Sequence, residues 1–180
     1  MKKLGWRITG RVCSAVIIAS VLACVGIAIA RSNGLVSVTV TALDPDAEPS
    51  DHSIPLVKQR EALPDYELTL IGDRGDVRYL GVKPDESAAA GLIWLLDDPV
   101  SISQIATVRL REKDQLLSDQ LAEVHVSGPS VEANGYRFDF MIARSVGVGV
   151  RAFFTTPIGM AITVAFGLAV LLIILSRFPG

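Results

Sequence analysis

Tyr136-Arg137-Phe138-Asp139-Phe140-Met141-Ile142 carries Tyr, Phe, Phe and Ile at every second position, with Arg, Asp and Met between them. Successive side chains of a β-strand point to opposite faces, so this period of two predicts a strand with one apolar face. Asn134-Gly135 precedes it directly, and Asn-Gly is a strong signal for a tight hairpin turn. The same alternation recurs upstream. Val36, Val38 and Val40 alternate with Ser37, Thr39 and Thr41. Tyr66, Leu68 and Leu70 alternate with Glu67 and Thr69, Val108 and Leu110 with Arg109 and Arg111, and Val124 and Val126 with Glu123 and His125. Val146–Phe154 is rich in β-branched and aromatic residues and reads as a last strand.

Turn residues separate these runs. Gly72-Asp73-Arg74-Gly75 reads as a hairpin loop between Tyr66–Ile71 and Val77–Val82. Leu43–Pro55, rich in Asp, Pro and Ser, reads as a long loop, and Asp85–Gly91 as a helical turn or short helix. Trp94, within an apolar run, is expected in the core. About seven to eight short strands with frequent turns predict a mainly β fold, an antiparallel β-sandwich, with a partly closed barrel as the alternative.

Outside this region the chain changes character. Val12–Ala30 and Ala152–Ser176 contain no Asp, Glu, Lys or Arg. A bilayer core about 30 Å thick needs about 20 apolar helical residues, so both runs predict transmembrane helices flanking the sandwich. The expected organisation is a basic N-terminus over 1–11 and a transmembrane helix or signal peptide over 12–30. A β-sandwich follows over 31–154, then a second transmembrane helix over 155–176 and a short tail over 177–180. Lys2, Lys3, Arg7 and Arg11 precede the first run and Arg177 follows the second. By the positive-inside rule, both termini are expected in the cytoplasm and the middle domain outside it. Trp6 is placed to anchor at the inner interface. Ala28-Ile29-Ala30 resembles a signal-peptidase site, but the run is longer than the usual apolar core of about 7–15 residues, which favours an uncleaved anchor. Val21-Leu22-Ala23-Cys24 is a poor lipobox, because apolar residues continue past the cysteine. Ala161, Ala165 and Ala169, with Gly159 and Gly167, form a small-residue stripe of the kind that lets membrane helices pair.

Composition excludes several functions. The 12 basic and 19 acidic residues between the runs leave a net charge of −7 there, a poor match for nucleic acid. Neither run carries the charged groups of a proton relay, transporter or voltage sensor. Both cysteines, Cys13 and Cys24, lie in the first run, so the middle domain has neither a disulfide nor a thiol nucleophile. Only His52 and His125 could serve as an imidazole base, His52 in an acidic loop and His125 on the polar side of a strand. Two separated histidines do not make a zinc site. No Gly-x-Ser-x-Gly elbow, phosphate loop or dinucleotide fingerprint is present, so no catalytic constellation is visible. Arg74-Gly75-Asp76 spells an integrin-recognised tripeptide, but Gly75 already has a turn role.

Ile105–Val126 runs strand, acidic loop, strand, and over these residues it resembles a loop of C2 and PLAT-type sandwiches. That resemblance implies calcium, with Asp114 and Asp119 as ligands and Asp97 and Asp98 contributed from another loop. Leu116 stands where the C2 pattern carries a second acidic residue. Calcium requires about six to eight converging oxygens. The sequence thus points first to a non-enzymatic module anchored in the bilayer by two apolar helices, binding a protein partner or itself. A calcium-dependent binding module and an auxiliary subunit of a membrane enzyme complex are the alternatives.

Overall fold

A computed structural model describes residues 2–49, 63–113 and 118–176; for residues 2–7 and Ser118 only the backbone is considered. The chain forms two compact units. One comprises residues 33–143, and the other residues 1–32 with 144–180.

The first unit is the expected sandwich. Its strands are β1 (Asn33–Ala42), β2 (Tyr66–Gly72), β3 (Val77–Lys83), β4 (Leu92–Ser101), β5 (Ile105–Lys113), β6 (Ser118–Val124), β7 (Ser130–Ala133) and β8 (Tyr136–Arg144). They form two antiparallel four-stranded sheets, in the orders β4-β1-β8-β7 and β3-β2-β5-β6. The alternation in the sequence has this cause. Val38, Val40, Leu68, Leu110 and Phe138 turn inward from both sheets into one core and are fully buried. Trp94 is in that core, and its indole N–H donates to the Gly81 carbonyl at 3.1 Å, tying β4 of one sheet to β3 of the other.

Turn chemistry follows the sequence. Asn134 and Gly135 both have positive φ, 49° and 82°, which a two-residue type I′ hairpin between β7 and β8 requires. The β2–β3 turn closes through Gly72 N–H to Asp76 and Gly75 N–H to Gly72, at 2.8 and 2.9 Å. Arg74-Gly75-Asp76 is exposed in that turn. Residues 88–90, inside the expected helical turn, form a single 3-10 turn.

The second unit is helical. It contains α1 (Lys2–Ala30), α2 (Val146–Phe154) and α3 (Pro157–Ser176). Val146–Phe154 is therefore a helix and not the expected last strand, and the sandwich ends with β8. Valines at 146, 148 and 150 favour a strand locally, but packing of this segment on α1 sets its conformation. Among the described residues, two stretches are long and apolar enough to cross a membrane, Ile8–Ala30 and Pro157–Ser176, with mean hydropathy 2.7 and 2.8. Thr156 separates α2 from α3. Its hydroxyl accepts from Gly159 N–H at 3.0 Å, which is an N-cap, and Pro157 fills the first helical position, where its missing N–H costs nothing.

Candidate functional site

The densest polar cluster of the sandwich lies where β1 finishes and β8 begins, at the opposite end of that sheet from Asn33 and Ala143. Asp44-Pro45-Asp46 folds one 3-10 turn over Pro45–Ala47, with the Asp44 carboxylate accepting from Asp46 N–H at 3.2 Å. That turn swings Glu48 back over the sheet end. One Glu48 oxygen accepts from the Tyr66 hydroxyl at 2.7 Å and from Ala88 N–H at 2.9 Å. The other accepts from the Ser87 hydroxyl at 2.7 Å. Ser87 in turn caps its own 3-10 turn by accepting from Ala89 N–H at 3.1 Å. Glu48 thus sits at the exposed amides of a turn start, where negative charge is favoured.

Two tyrosines and a second carboxylate complete the group. Tyr66 and Tyr136 hydroxyls are 3.3 Å apart, and their rings meet edge to face at 6.0 Å. Glu112, 3% exposed, lies opposite Tyr66 across the β2–β5 pair. Burial pushes the Tyr66 hydroxyl far above its ordinary range, and its bonds to Tyr136 and Glu48 add to this. Burial also raises Tyr136, which the charges of Glu48 and Glu112 reinforce. Both phenols therefore stay neutral, and Tyr66 acts as a donor. The Glu48 oxygens are occupied by three donors from two segments of the chain, Tyr66 of β2 and Ser87-Ala88 ahead of β4, and Tyr66 is fully buried. The arrangement ties the segment after β1 to β2 and to the turn before β4.

Of the residues that the C2-type resemblance nominates, the described ones lie in two separate strands. Asp97 and Asp98 are in strand β4 and not in a loop. One residue of β1, Val36, there faces four of β4, Leu96–Pro99, between the pairs Leu35–Val100 and Ser37–Leu95. This is a bulge in an edge strand, where charges and a proline discourage pairing with another strand. Asp119 is likewise in a strand, β6, opposite Glu112. β4 borders β3 and β6 borders β7, so the two strands stand at opposite edges of the sandwich. Asp114 lies outside the described residues. Among the described residues, no three or more His, Cys, Asp and Glu side chains form a group that could hold a metal ion.

The remaining candidates have structural partners. His125 Nδ1 is 2.6 Å from the Ala106 carbonyl; His52 lies outside the described residues. Arg109 Nε donates to Glu123 at 2.8 Å across β5 and β6 and holds that carboxyl below the usual range. On the outer face of the first sheet, Ile93 and Leu95 of β4 and Met141 of β8 are exposed, with Leu95 beside Ser37 of β1. Ile93 and Leu95 place apolar residues on the outward phase of β4, a departure from alternation visible in the sequence.

In the helical unit, α1 packs on α3. Cys13, Ser20 and Ala28 are the buried positions of α1, and Gly159 and Ala169 those of α3. Small residues at these positions permit close approach. The expected stripe is only partly used: Ala161, Ala165 and Gly167 are exposed. Compared with known proteins, the chain matches no family model and no curated protein.

Proposed function

We propose that the chain is a membrane-anchored, extracytoplasmic β-sandwich that acts as a non-enzymatic binding or complex-supporting module. The observation that carries this reading is the pair of membrane-length helices joined to neighbouring strand ends. α1 leads through Arg31 and Ser32 into β1, β8 leads through Ser145 into α2 and α3, and Ser145 N–H donates to the Ser32 carbonyl at 2.9 Å. Two crossings hold everything between them on one side of the bilayer. The four basic residues ahead of the first span favour the cytoplasm for the termini, and the sandwich then lies outside it.

The exposed apolar side chains of Ile93, Leu95 and Met141 on one sheet face support a contact role, because a protein partner would remove them from water. The polar cluster supports a structural role for the sandwich end, since its groups satisfy one another. The test is site-specific photocrosslinking in the native membrane. A crosslinker at Leu95 is expected to capture a protein partner, one at the exposed Glu132 is not, and Leu95→Asp is expected to abolish capture without lowering the melting temperature. Equal crosslinking at both sites, or turnover of a substrate by the purified full chain, would overturn the proposal.

A further inference from the structure

Helix α2 ends only two residues before α3 begins. One side of it is covered, with Val148, Gly149, Ala152 and Phe153 buried. Gly149 lies so close to α1 that a methyl group there would overlap the Ala28 carbonyl. Ala28 belongs to the last turn of the membrane-length stretch Ile8–Ala30. α2 therefore sits at the level of that helix's end. For a helix that crosses a bilayer, this level is the boundary between hydrocarbon and headgroups.

The other side of α2 is exposed but not polar. Val146, Val150 and Phe154 recur every fourth residue and are 77%, 37% and 51% exposed. Residues four apart on a helix are neighbours, so the three form one apolar stripe. Gly147 and Arg151, both exposed, border it on one side. The stripe does not simply continue α3, because the Thr156 cap and Pro157 start a new helix.

We propose that α2 is an interfacial helix, which inserts Val146, Val150 and Phe154 into the headgroup boundary of the bilayer that α1 and α3 cross. The occupant of the stripe is lipid. The argument is continuity: after Thr155 and Thr156 the chain enters α3, whose Ile158, Val164 and Leu168 present further apolar surface to the surroundings. A short helix with an apolar face and a cation at its border has the makeup of a segment that lies in the membrane plane. The inference rests on the membrane anchoring proposed above.

The test uses the full chain with Cys13→Ala and Cys24→Ala, reconstituted in vesicles of phosphatidylcholine and phosphatidylglycerol. Nitroxide labels are placed one at a time at Val150→Cys, Phe154→Cys, Arg151→Cys and, within α3, Leu168→Cys. All four positions are exposed. Collisions with oxygen and with a water-soluble nickel chelate report depth. Positions 150 and 154 are expected to show an oxygen-to-nickel ratio several-fold above position 151 and below position 168. Ratios at 150 and 154 equal to that at 151, with 168 deep in lipid, would overturn the inference and leave the anchoring intact. Nickel access at 168 would overturn the anchoring itself. Spin–spin broadening at 150 and 154 as protein is concentrated in the membrane would assign the stripe to a second copy and also overturn the inference.

Discussion

The Glu48 carboxylate holds the Tyr66 hydroxyl at 2.7 Å and the Ala88 amide at 2.9 Å on a single oxygen, joining residues 18 and 40 positions away in the chain. With Ser87 on the other oxygen, one acidic side chain closes the end of the sandwich that lies opposite Asn33 and Ala143.

Glu48→Ala is expected to lower stability by about 3 kcal/mol, because it removes at once the acceptor of the Tyr66 hydroxyl, the Ser87 hydroxyl and the Ala88 N–H. Glu132→Ala, which breaks only the exposed 3.1 Å pair with Arg137, is expected to change stability by less than about 0.5 kcal/mol. Denaturant unfolding of both variants in detergent, followed by the Trp94 signal, checks the contrast. Equal effects would contradict the structural role assigned to Glu48.

Alkaline pH is expected to destabilise the sandwich. Tyr66 and Tyr136 titrate above their ordinary value in the folded chain and at about 10 in the unfolded one. The fold therefore holds these protons more tightly, so their contribution is complete below about pH 10 and is lost as pH rises beyond it. The melting temperature should be flat from about pH 7 to 9 and fall above about 10. Tyr66→Phe should be less stable at neutral pH and show a shallower alkaline fall. An unchanged alkaline slope in that variant would refute the assignment.

Gly149→Val is expected to disrupt the α1–α2 contact, since even a methyl group there meets the Ala28 carbonyl. The cost of such overpacking is about 1–3 kcal/mol. Gly167→Ala, with open space around it, is expected to be tolerated. Thermal aggregation of the two variants in the same detergent separates them.

Calcium is expected to produce no saturable heat and no change in melting temperature, because β4 and β6 hold Asp97, Asp98 and Asp119 at opposite edges of the sandwich. A calorimetric titration of the full chain checks this. Saturable binding abolished by Asp119→Asn would restore the calcium reading.

The sandwich was legible wherever a strand has one apolar face, as in Tyr136–Ile142 and Val36–Val40, because one-sided burial writes itself as alternation. The turn at Asn134-Gly135 was legible because its backbone demands those residue types. The segment Val146–Phe154 was misread, since its valines favour a strand while contact with Ala28 makes it a helix. Of the small-residue stripe read from the spacing, only Gly159 and Ala169 are buried, and Gly159 is closed in by Phe153 and Thr156 at the start of α3. Glu48 carried no local signal, as its role depends on Tyr66, Ser87 and Ala88. The two tyrosines did carry one, because an inward-facing Tyr needs a partner for its hydroxyl.

The central claim is that both helices cross one membrane and hold the sandwich outside the cytoplasm. Labelling with a membrane-impermeant thiol reagent tests it most directly, on right-side-out vesicles carrying Cys13→Ala and Cys24→Ala. Arg137→Cys in the sandwich is expected to react in intact vesicles, and Lys3→Cys ahead of α1 only after permeabilisation. Reaction of Lys3→Cys in intact vesicles with Arg137→Cys protected would reverse the orientation, and release of the chain from the membrane by alkaline carbonate would contradict the anchoring altogether.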